Sequence, residues 1–179
     1  MSSYFSIKLR EKKTDKILSL NCWSRNNAVY QLFVNNISVP YADCPERDEH
    51  GDFKYDKNGD MIYKPTLYHK LTSEDFKTVL EEANKEIKFY KDLLVGIKDK
   101  QKAIANYIKL IAKTTTKEEA DKYREDLDTL KESIEYNYIH ENQEELEDLL
   151  YAKNIILGLE NIFEELEYSD FSEMLCNYD

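Results

Sequence analysis

The sequence predicts a mainly α protein with a small α+β head at its N-terminus, followed by a long antiparallel helical hairpin or coiled-coil-like bundle. Three observations carry this. Positions 76, 80, 83, 87, 90, 94, 97, 101, 104, 108 and 111 alternate by four and three, and all but Gln101 are apolar, which is the seam of a helix packed on another. Four Gly and three Pro are few for 179 residues. Two capping boxes, Thr72 with Asp75 and Thr116 with Glu119, mark helix starts. The domain division that follows is a head over residues 1–71 and a helical part over 72–179.

Taken in order, residues 4–10 and 16–23 alternate apolar and polar side chains and read as two strands, joined by a charged hairpin loop at 10–16. Ser24 is placed to cap a short helix over 26–35, where Val29, Leu32 and Phe33 form one stripe. A two-stranded ribbon with one helix is marginal alone and must lean on other elements. Residues 39–70 hold all three prolines and two glycines. Their segment GDFKYDKNGDMIY reads as a second hairpin turning at Asp56 to Asp60, within a surface arm or a second small sheet element.

The first long helix is expected over residues 73–113, with Gly96 its weak point. Thr114 to Thr116 break the pattern, and a helix with the seam Ala120, Tyr123, Leu127, Leu130 and Ile134 follows, antiparallel because the connection is short. The seam lapses between Asn137 and Glu145 and resumes at Leu146, Leu149, Ala152, Ile156, Leu159, Phe163 and Leu166. Continuity through a stutter is favoured, since no Gly or Pro interrupts it; the alternative is a third helix capped by Asn142. Leu150, Ile155, Leu157 and Ile162 lie outside the narrow seam and widen the apolar arc. A third helix, the head or a second copy of the chain in a homodimer must bury them.

Charge is lopsided. The net −11 arises wholly beyond residue 140, where twelve acids face only Lys153. Glu144, Glu145, Glu147, Asp148, Glu160, Glu164, Glu165, Glu167, Asp170 and Glu173 are the candidate protein-interaction residues, with Leu150, Ile155, Leu157 and Ile162 as the candidate apolar contact. Such an acidic helical surface suits a positively charged groove, because a duplex presents about one charge per 1.7 Å and helix positions rise by about 1.5 Å. By helical phase, however, these acids point several ways, and solvated surface is the plainer reading. Lysines gather at positions 98–113 and around the first hairpin, yet a pI near 4.9 argues against direct nucleic-acid binding.

Chemistry is sparse. Cys44 and His50 give two ligands where a metal site needs more. Asp56, Asn58 and Asp60 begin like a calcium loop, but Met61 stands where Gly is required and Leu67 where Glu is required. No phosphate loop, GxSxG elbow or HExxH helix occurs, and His50, His69 and His140 have no local triad pattern. No enzyme, cofactor, metal or small-molecule substrate is therefore expected. Cys22, Cys44 and Cys176 are odd in number and widely spaced, as for reduced thiols. With no apolar leader and no membrane span, the expected place is the cytoplasm.

In small size, helical build, absent catalytic groups and acidic end, the chain resembles the inhibitors that phages and mobile elements encode against bacterial defences, including anti-CRISPR proteins. This class resemblance rests on composition and architecture and carries over no functional residue. It implies a basic partner, a CRISPR effector or another nucleic-acid-binding enzyme, whose groove the acidic end fills as a nucleic-acid mimic, in the host bacterial cytoplasm. The other readings are a structural or adaptor coiled coil, and nucleic-acid binding by the lysine-rich hairpin.

Overall fold

The computed structural model describes residues 4–42, 45–132 and 138–178. Four antiparallel strands and four helices occur among them. These are β1 (Tyr4–Glu11), β2 (Ile17–Ser24), α1 (Ala28–Asn36), β3 (His69–Lys70), α2 (Ser73–Lys113), α3 (Lys117–Glu132), α4 (Tyr138–Glu164), a 3₁₀ turn (Glu165–Tyr168) and β4 (Phe171–Tyr178). The sheet order is β2-β1-β4-β3. The chain divides into two compact units, one of residues 1–83 with 151–179, the other of residues 84–150.

The first unit corrects one expectation. Residues 171–178 are a strand at the centre of the sheet, not the tail of an acidic helix. The unit joins residues 1–83 to the chain's last segment. The pairing is regular over most of its length: Phe5 lies opposite Tyr178, Ile7 opposite Cys176 and Leu9 opposite Met174. Side chains alternate along a strand, so Phe5, Ile7 and Leu9 join Met174 and Cys176 on one buried face. This is the support that the hairpin of β1 and β2 lacks alone.

Helices cover that face. Phe5 stacks on Phe33 of α1 at 4.8 Å, Phe33 meets Phe76 of α2 edge-on at 6.1 Å, and Phe76 lies 5.4 Å from Phe163 of α4. Asn27, not Ser24, caps α1, its side chain accepting from the Val29 N–H. The opposite face buries Ser6, Leu175 and Asn177. On this face the Asn177 amide donates to the Leu67 carbonyl at 3.4 Å and Lys8 lies over the Tyr68 ring. Beside the end of β4, the Tyr178 N–H donates to the Pro40 carbonyl and the Ala42 N–H to that of Tyr178, so residues 40–42 pair with the sheet.

Within the second unit, α2 reaches Lys113 without interruption at Gly96. It faces α3 across Tyr107 and Tyr123, whose rings are 6.2 Å apart. Thr114 to Thr116 separate the two helices, as expected of antiparallel neighbours. Of the stretch from Asn137 to Glu145, where the sequence favours continuity, α4 covers Tyr138 onward without a break, while residues 133–137 lie outside the described residues. Asn142 falls inside α4, which begins at Tyr138, and so does not cap it.

Candidate interaction surfaces

The acidic end is built by a lysine. The 3₁₀ turn that follows α4 closes with the Ser169 N–H donating to the Leu166 carbonyl at 3.1 Å, and carbonyls at a helix's end need partners from outside it. The Lys12 ammonium, delivered by the β1–β2 hairpin, donates to the carbonyls of Leu166 (3.2 Å), Glu167 (3.0 Å) and Ser169 (2.7 Å). A cation suits the negative end of the helix dipole. Leu166 is buried beneath the turn, while Glu164, Glu165, Glu167 and Asp170 stay exposed. Beside them, Leu9, Ile162, Leu166, Tyr168 and Phe171 line a half-open recess of about 550 Å³ with Glu165 at its edge.

The candidate residues separate into three groups. Glu144, Glu145, Glu147 and Asp148 are exposed on α4 in the unit of residues 84–150. Glu160, Glu164, Glu165, Glu167 and Asp170 belong to the other unit, with Glu160 half-buried. Glu173 is a structural hub instead of a free carboxylate: it lies 3.0 Å from Lys70 Nζ and 2.9 Å from Arg10 Nε. The Lys70 hydrogen bond, against some desolvation and with help from Arg10, holds this carboxyl below its usual range. Of the apolar candidates, Leu150, Leu157 and Ile162 are exposed and Ile155 is half-buried.

Three cations of the first hairpin are engaged internally: Arg10 pairs with Asp15 as well as Glu173, Lys12 caps the turn, and Lys8 lies 5.2 Å over the Tyr68 ring. Lys13 and Lys16 are exposed. A second cavity of about 420 Å³ is lined by Lys12, Lys70, Thr72, Phe163, Phe171 and Met174 among others. Its two lysines are already committed to carbonyls and to Glu173.

One constellation escapes local sequence reading. Pairing of β3 with β4 sets His69 directly opposite Cys176, and His69 Nε2 lies 3.0 Å from Asp75 Oδ2. Strand pairing thus brings the distant Cys176 opposite a histidine bound to an aspartate six residues along the chain. Cys176 is fully buried, and burial, aided by Asp75, pushes its thiol up to about 12. A protonated thiol without solvent access is no nucleophile. Asp75 serves the architecture instead. Burial opposes its ionisation, but hydrogen bonds from the Thr72 hydroxyl, His69 and the Thr72 N–H outweigh this and hold it below 3.8. The carboxylate thereby caps α2 and ties it to β3.

Among the described residues, no group of three or more His, Cys, Asp or Glu could hold a metal ion, and no helix is long and apolar enough to cross a membrane. Cys22 is exposed and free; Cys44 lies outside the described residues. Comparison with protein-family models, curated proteins and solved structures finds no match.

Proposed function

We propose that this chain is a non-catalytic protein-binding module, an inhibitor that blocks the basic groove of a bacterial defence nuclease, such as a CRISPR effector, or of another nucleic-acid-binding protein. The observation that carries the reading is the juxtaposition at the end of α4: four exposed carboxylates between positions 164 and 170, beside an apolar recess lined by Ile162, Leu166 and Tyr168. Carboxylates steer a basic partner and fix its register, while the recess accepts an apolar side chain and supplies affinity. The internal engagement of Lys8, Arg10 and Lys12 leaves Lys13 and Lys16 as the hairpin's other cations, both exposed, which with a net charge of −11 supports a protein rather than a nucleic acid as the partner. The cytoplasm of a bacterial host is the setting this reading requires.

The test is binding to purified CRISPR effector nucleases at rising salt. Steep weakening with salt is expected, with a loss of about 100-fold for Glu164→Lys/Glu165→Lys/Glu167→Lys. Affinity indifferent to both removes the reading. The adaptor alternative rests on the exposure of Leu157 and Ile162. It predicts the opposite pattern, in which charge reversal is tolerated and Leu157→Asp abolishes association.

A further inference from the structure

Residues 45–63 form a small closed assembly with its own sequence repeat. Asp48-Glu49-His50-Gly51-Asp52 and Asp56-Lys57-Asn58-Gly59-Asp60 share the pattern DxxGD. In each, the first aspartate accepts backbone N–H groups two and four residues on, at 2.8 to 3.0 Å. Gly51 and Gly59 adopt φ of +88° and +86°, where a side chain is strained. Between and beside the turns, three short segments bond in a ring: Glu46 N–H to the Ile62 carbonyl (2.8 Å), Ile62 N–H to Lys54 (2.9 Å), and Lys54 N–H to Glu46 (3.0 Å). The ring satisfies these central backbone groups without a hydrophobic core.

Pairing then sorts the side chains. Arg47 lies opposite Phe53, Tyr55 opposite Met61, and Pro45 opposite Tyr63. Opposed residues share a face, and so do residues two apart. Phe53, Tyr55 and Tyr63 therefore join Arg47 and Met61 on one face, with Glu46, Lys54 and Ile62 on the other. All three aromatics are exposed, at 39, 56 and 52%, and the Arg47 guanidinium stacks on Phe53 at 4.1 Å.

We infer that this aromatic face is a docking surface for a protein that presents basic side chains around an apolar anchor. Aromatic residues with arginine, on a backbone already fixed by turns, are the composition of an interface centre. Charge decides the class of partner. Asp48, Glu49, Asp52, Asp56 and Asp60 stand at the two turns, and against them the segment sets Arg47, Lys54 and Lys57. An acidic rim repels the phosphates that base stacking on tyrosine would bring with it, and attracts lysine and arginine. The inference rests on the protein-binding reading above and supplies a second contact for the same basic partner.

Selection from a random linear peptide library displayed on phage tests it, using the full chain as bait and the Phe53→Ala/Tyr55→Ala/Tyr63→Ala variant for counter-selection. Enriched peptides should carry lysine or arginine around a large apolar residue. As synthetic peptides they should bind the full chain at least tenfold more tightly than the variant, and Asp52→Lys/Asp60→Lys, which leaves both turn-forming aspartates in place, should also weaken them. Peptides that bind bait and variant alike overturn the inference, as does a selection that enriches acidic sequences. It is equally overturned if single-stranded oligo-dT binds the full chain and not the aromatic variant, or if sedimentation shows a dimer that the variant lacks. None of these results bears on Glu164, Glu165 and Glu167, whose reversal tests the acidic end separately.

Discussion

The two compact units bury their side chains to different depths. In the unit of residues 1–83 and 151–179, Phe5, Phe33, Phe76, Ile156 and Met174 are sealed completely between a four-stranded sheet and three helices. In the unit of residues 84–150, only Ile87, Leu127 and Leu149 are buried among the described residues, none of them completely, while Tyr90, Leu94, Ile104 and Tyr107 are half-buried. Ile108 and Leu110 are exposed. A sheet with helices upon it encloses a volume, whereas helices meeting along seams shield only stripes. Stability should therefore reside in the mixed unit.

Single substitutions break this comparison or sharpen it. Phe76→Ala removes a ring packed between Phe33 and Phe163 and is expected to cost about 3–5 kcal/mol in denaturant unfolding. Ile108→Ala, on the same helix but 53% exposed, should stay within about 0.5 kcal/mol; similar costs at the two positions would contradict the contrast. Between these extremes, Lys12→Met takes the ammonium from the Leu166, Glu167 and Ser169 carbonyls, of which Leu166 keeps the Ser169 N–H and hydroxyl, and should cost about 1–2 kcal/mol, with hydrogen exchange rising first around residues 166–170.

The smallest effect is pH-dependent. Asp75 has its folded pKa below the unfolded 3.8, so its stabilisation is complete well above that value and fades as pH falls through the folded value. The melting temperature of Asp75→Asn should lie below that of the wild type at neutral pH, with the gap closing in acid. A gap that widens in acid would mean that the carboxylate is not held ionised by Thr72 and His69.

What the sequence made legible follows the same contrast. Helix α2 runs from Ser73 to Lys113 as its periodicity predicts, because a seam at threes and fours has no strand equivalent over such a length. Thr72 and Asp75 close the expected capping box. Strand β4 is hidden in the sequence for the opposite reason. With both faces covered, Met174, Leu175 and Cys176 form a continuous apolar run that loses the alternation of a half-exposed strand.

The candidate surfaces divide similarly. Glu164, Glu165 and Glu167 are visible as a charge excess, but nothing local shows that Lys70 and Arg10 occupy Glu173. Likewise, His69 faces Cys176 through strand pairing, which no short motif records. The arm is half legible. Its turn at Asp56 to Asp60 is expected from the residues, whereas the matching turn at Asp48 to Asp52, spaced eight residues earlier in the sequence, is the signal that a repeat is present.

Competition tests the proposed inhibition most directly. A purified CRISPR effector bound to labelled target duplex is titrated with the full chain, and the fluorescence anisotropy of the duplex is followed. Groove blocking predicts complete displacement of the duplex by the wild type, and none by Glu164→Lys/Glu165→Lys/Glu167→Lys at the same concentration. A stable complex holding effector, duplex and this chain together would contradict it.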